Sequence, residues 1–139
     1  KSMIGVWREW ALDEVLREAW EGGVVLSGVS AGAICWFDQG STDSYADRLR
    51  VLDCLGFLPG SCCPHYDTER ERRPTLKRML QAGEIVPGIA LDNDAAAHFV
   101  DTELYRVVTT RADARGYELY VADGEVREST LSPLYLNPP

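Results

Sequence analysis

The passage from Val24-Val25-Leu26 through Gly28-Val29-Ser30-Ala31-Gly32 into Ala33-Ile34-Cys35-Trp36-Phe37 constrains this chain more than any other. A run rich in Val and Leu reads as a buried strand, and an abrupt G-x-S-x-G turn carries it into a helix-compatible apolar segment. This is the pattern of a nucleophile elbow. A strand turned directly into a helix forces its central residue into a strained conformation and projects that side chain above the sheet. Glycines two places to either side spare the backbone a Cβ clash. Ser30 is thereby expected at a helix N-terminus, where free N–H groups favour negative charge developing beside it. The same five residues also make a plain strand-to-helix turn, so the chemistry must be sought in what surrounds them.

At 139 residues the chain is long enough to bury a real core and reads as a single domain over 1–139. A formal net charge of -8 argues against nucleic acid or an anionic membrane as partner, since both reward clustered Lys and Arg. A small peptide or similar soluble substrate fits better, and a homodimer is compatible with it. No apolar run approaches the roughly 20 residues that a bilayer span needs, and no charged-then-apolar leader opens the chain, so a cytoplasmic location is expected. Cys35, Cys54, Cys62 and Cys63 include an adjacent pair and make a poor disulfide framework; free thiols are expected. Because the chain opens on Lys1, already in a Trp-rich apolar segment, an upstream portion is expected as well.

Met3, Ile4, Val6, Trp7 and Trp10 have helical spacing, and Leu12, Val15, Leu16, Ala19 and Trp20 repeat it before Gly22-Gly23. A strand over 24–29 and a helix over 31–37 follow. Residues 38–50 are polar and mixed, and read as a surface loop bordering a site. Ser61 to Asp67 reads as a short strand ending on His65, Pro74 as the start of a helix with Leu76, Met79 and Leu80 inward, and Ile85 to Leu91 as a strand. Stretches 95–100, 104–109, 117–121 and 126–128 alternate in strand fashion. The predicted fold class is α/β, a mainly parallel sheet flanked by helices with antiparallel hairpins at its C-terminal end.

A serine alkoxide needs a base, and the chain has two histidines. His65 falls at a strand end, where open α/β sheets gather their functional loops. His98 alternates with apolar neighbours and reads as a structural or surface histidine. A third group must hold the imidazole tautomer, and Asp92, Asn93 and Asp94 end the next strand. Arg70, Arg72 and Arg73 could hold a substrate carboxylate or simply pair with Glu69 and Glu71 at a helix start. Cys62, Cys63, His65 and Asp67 lack zinc-like spacing and a second ligand pair, so neither metal nor cofactor is expected.

Gly28-Val29-Ser30-Ala31-Gly32-Ala33, Cys63-Pro64-His65-Tyr66-Asp67 and Pro87-Gly88-Ile89-Ala90-Leu91-Asp92-Asn93, in that order and spacing, resemble the peptidase E family of aspartyl-dipeptidase-like serine peptidases. Members of that family share a fold with class I glutamine amidotransferases. The likeness runs through nearly the whole chain. It implies Ser30 as nucleophile, His65 as general base and Asn93 where the family carries a Glu or Asp, with Asp92 as the second choice for orienting His65. Neighbours on a strand face opposite ways, so one of the two is expected to reach the ring. It also implies an oxyanion hole from the Ala31 N–H and a second N–H in a glycine-rich loop upstream, and Arg70 and Arg73 as substrate contacts. The activity implied is cleavage of short peptides through an acyl-enzyme. An esterase or cyanophycinase-like hydrolase, or a catalytically silent binding module on the same fold, remain as alternatives.

Overall fold

The computed structural model describes residues 1–45 and 48–136; residues 46 and 47, within the predicted loop, and 137–139 lie outside the described residues. Helices α1 (Ser2–Glu9) and α2 (Leu12–Glu21) form where the apolar spacing predicts them. They are parted at Trp10 and Ala11, the latter at a φ of 52° that a continuing helix cannot hold. After the turn at Ser30 come α3 (Ala31–Ile34), β1 (Phe37–Thr42), β2 (Arg50–Asp53) and β3 (Leu58–Cys63). Helix α4 (Arg72–Gln81) precedes β4 (Gly88–Leu91), and the remainder is β5 (Ala95–Val100), β6 (Glu103–Thr109), β7 (Gly116–Ala122), β8 (Glu125–Leu131) and β9 (Leu134–Tyr135). Pro74 sits in the first turn of α4, where its missing N–H removes no helical hydrogen bond.

One sheet runs in the order β2-β1-β3-β4-β7-β8 and a second in the order β5-β6-β9. In the larger sheet β1, β3 and β4 are parallel, whereas β2, β7 and β8 join antiparallel. The parallel part is therefore narrower than the mainly parallel sheet expected from sequence: a centre flanked by antiparallel strands on both sides.

Alternation along the central strands sorts two cores onto the two faces. Cys62 and Ile89 join Ile4, Ile34, Phe37, Leu91 and Val107 on one side. Their neighbours Cys63 and Ala90 join Tyr66, Leu76, Met79, Leu80 and Leu119 on the other, under α4. All four cysteines are free and buried.

Three elements depart from the sequence reading. The loop predicted over 38–50 contains all of β1 but Phe37, and the first residue of β2, Arg50. Its small polar residues are interior: Ser41 and Thr42 are buried, and Gly40 lies so close to Ile34 that a Cβ there would come within 2.7 Å of the Ile34 Cβ. The helix predicted over 31–37 stops at Ile34, because Phe37 already enters β1. The strand predicted over 24–29 pairs with no strand among the described residues, and Val24, Val25 and Val29 are exposed.

Candidate active site

Ser30 has φ 53° and ψ -116°, a conformation costing a non-glycine residue on the order of 1–3 kcal/mol. Gly28 makes the turn possible. A Cβ on it would lie 1.9 Å from the Gly32 carbonyl oxygen, whereas a Cβ on Gly32 would meet nothing within 4 Å. The serine hydroxyl makes no capping hydrogen bond to α3. It donates to His65 Nε2 at 2.7 Å.

His65 lies just past the end of β3, with φ 57°, and the turn is tied to the neighbouring strand by the Tyr66 N–H donating to the Leu91 carbonyl at 3.0 Å. Its Nδ1–H donates to Asn93 Oδ1 at 2.7 Å. An amide oxygen can only accept, so this contact puts the ring proton on Nδ1 and leaves the Nε2 lone pair facing Ser30. Three side chains, 35 and 28 residues apart in sequence, thus form one hydrogen-bonded chain.

Of the adjacent pair, Asn93 reaches the ring and Asp92 turns the other way. Asp92 Oδ2 accepts the Arg115 N–H at 2.8 Å and the Tyr117 hydroxyl at 3.4 Å, while the buried Oδ1 has no partner among the described residues. Burial pushes the Asp92 carboxyl above its ordinary range, against the opposing Arg115 N–H. The Ala31 N–H, first in its helix, has no intrahelical acceptor and takes part in none of the described backbone hydrogen bonds outside regular elements.

Two residues that the sequence did not single out for this role stand behind Asn93. Asp67 Oδ1 accepts the Asn93 N–H at 2.9 Å, and Arg111 donates to Asp67 Oδ2 and to the Asn93 carbonyl, the latter at 3.2 Å. Partial burial alone would raise the Asp67 carboxyl; the Asn93 N–H and the Arg111 guanidinium outweigh it and hold it below the usual range. The position of Asp67, two residues after His65, is the one signal in the sequence that could have drawn attention to it.

Ser30, His65 and Asn93 line a cavity of about 770 Å³ whose walls include Trp20, Trp36 and Phe57. Asp92, Asp94 and Asp101 border it and, among the described residues, no Lys or Arg does, but the Asp92 carboxyl turns to Arg115 and the Asp94 carboxyl pairs with Arg111. Arg70 and Arg73 are not brought to it. Arg73 pairs with Glu128 and lies over the rings of Tyr66 and Tyr117. Arg72 is buried against Glu69 at 2.5 Å and Asp43 at 3.6 Å. Among the described residues no group of three His, Cys, Asp or Glu side chains is arranged to hold a metal ion.

In this α/β domain an imidazole and its amide partner follow the carboxyl ends of the parallel strands β3 and β4 and meet the hydroxyl of the Ser30 turn. The chain belongs to peptidase family S51, whose sequence profile matches residues 1–107. It is 46% identical over 136 residues to an uncharacterized peptidase, YgaJ, of Bacillus subtilis (strain 168). That match covers 98% of this chain and 59% of the relative, so the chain spans less than two thirds of the curated protein's length.

Proposed function

We propose that this chain carries the acyl-transfer centre of a serine-type peptidase acting on short peptides. Ser30 Oγ attacks the scissile carbonyl carbon as its proton passes to His65 Nε2. The oxyanion so formed is met by the Ala31 N–H, with the second donor expected from the upstream glycine-rich loop. Collapse of the intermediate breaks the C–N bond, the departing amine takes the proton from Nε2, and water repeats the cycle on the acyl-enzyme. Asn93 orients the ring through its amide oxygen but cannot answer the imidazolium charge as a carboxylate would. Catalysis slower than that of a carboxylate-bearing centre follows.

The reading is carried by one observation, the 2.7 Å contacts that link Ser30 to His65 and His65 to Asn93.

The full-length protein should be labelled by a fluorophosphonate at Ser30 and should hydrolyse members of a panel of unmodified dipeptides and tripeptides. Ser30→Ala should lose both with its circular dichroism unchanged. Absence of labelling in the parent protein, or undiminished peptide turnover in the variant, ends the reading; turnover of esters without peptides replaces it with an esterase.

A further inference from the structure

Asn93 is held to His65 by a single neutral hydrogen bond, with no charge attraction to keep the two loops in register. Something else must fix the amide. Both main-chain groups of Asn93 are bound by one ion pair: Asp67 takes its N–H at 2.9 Å, and Arg111 takes its carbonyl at 3.2 Å while pairing with Asp67. The partners come from three places. Asp67 follows His65 by two residues, Asn93 follows β4, and Arg111 follows β6, outside the residues that the family profile matches. Arg111 is itself steadied by Asp94 Oδ2 at 3.3 Å and Asp113 Oδ1 at 3.0 Å.

We infer that the Asp67–Arg111 pair is a positioning clamp, which locks the His65 loop to the Asn93 loop and so sets the imidazole tautomer that Ser30 needs. The inference deepens the proposed function and rests on its assignment of Ser30, His65 and Asn93. An exposed ion pair adds little to stability. Its consequence lies in geometry, because a misplacement of about 1 Å at a reacting centre can lower a rate about 100-fold. The planar guanidinium matters here, since one group reaches a carboxylate and a carbonyl together where an ammonium reaches either. Neither residue touches the reacting atoms; both act through Asn93.

The test uses the full-length protein and two readouts, the His65 tautomer by two-bond proton–nitrogen spectra and the kinetics of peptide hydrolysis. The parent protein should show the Nδ1–H tautomer. Arg111→Ala should show a mixture of tautomers and a kcat about 10- to 100-fold lower, with KM changed less than about two-fold and melting unchanged. Arg111→Lys should recover part of both losses, and Asp67→Ala combined with Arg111→Ala should be no worse than Arg111→Ala by more than about two-fold, as expected of residues acting as a unit. A parent-like tautomer in Arg111→Ala overturns the clamp whatever the activity, and so do additive losses in the double variant. A parent protein that resists fluorophosphonate yet shows the tautomer shift in Arg111→Ala supports the clamp while removing the hydrolase reading.

Discussion

At the scale of single residues the candidate site combines a strained serine with an amide, Asn93, on the far nitrogen of the histidine that the serine meets. On the proposed mechanism position 93 holds an amide where a carboxylate would stabilise the imidazolium, and removing such a carboxylate from a triad lowers kcat by about 10⁴. Restoring one should act in the opposite direction, partly offset by the Asp67 carboxylate that binds the same residue's N–H. Asn93→Asp is therefore expected to raise kcat about 10-fold or more, checked by steady-state hydrolysis; a fall would place the orienting role elsewhere. The two glycines of the turn are not equivalent either. Gly28→Ala drives a methyl into the Gly32 carbonyl and should abolish folding or labelling, while Gly32→Ala faces open space and should melt close to the parent protein. Thermal unfolding of the two variants side by side checks the difference.

At the scale of elements, Phe57 is the joint between the helical N-terminus and the sheet. It is buried, stacks on Trp20 at 5.6 Å, meets Trp36 at 5.7 Å and lies under the Arg17 guanidinium at 4.3 Å. Phe57→Ala should cost about 3–5 kcal/mol in urea unfolding. It should also slow labelling of Ser30, because α2 leads directly into the 24–30 segment. The contacts of the candidate site were partly legible in the sequence: His65 and Asn93 follow apolar runs that become β3 and β4, where a sheet delivers chemistry, whereas Ser30 follows an apolar run that pairs with no strand among the described residues. Elements without an apolar signature were not. Strand β1 hides in Gln39-Gly40-Ser41-Thr42, whose burial comes from small size and close packing rather than from hydrophobicity. The apolar run over 24–29 shows the converse, since a strand needs a neighbour to pair with as well as suitable residues. The Asp67–Arg111 pair escaped because 44 residues separate its members, and a surface Arg beyond a hairpin carries no local mark of its partner.

At the scale of the whole molecule, pH acts on the fold through acidic groups whose titration is displaced in opposite directions. Burial pushes the Cys35 thiol up to about 11 and Cys54 up to about 12, and raises Cys63 as well. In the unfolded chain these thiols ionise near their ordinary value of about 8.5. Native proteins then keep protons that unfolded ones release, so the stability they support is complete below about pH 8.5 and is lost as pH climbs through the raised values. At the acid end Glu128 works the other way. Burial alone would raise it, but hydrogen bonds from Arg73, Tyr66 and Lys77 hold it below the usual carboxylate range, and Asp67 is lowered alongside it. Their contribution is present above about pH 4.5 and disappears as pH falls through the lowered values. Urea midpoints should therefore form a plateau between these limits and decline on both sides. The alkaline decline should be accompanied by thiol reactivity: at pH 8 iodoacetamide should leave all four cysteines of the folded protein unmodified, because protonated, buried thiols are poor nucleophiles. Alkylation should appear only with unfolding, in urea or as pH passes about 10, and mass spectrometry counts the modified sites directly. Rapid modification of Cys35 or Cys54 at pH 8 would show that the face of the sheet beneath α1 and α3 opens without global unfolding.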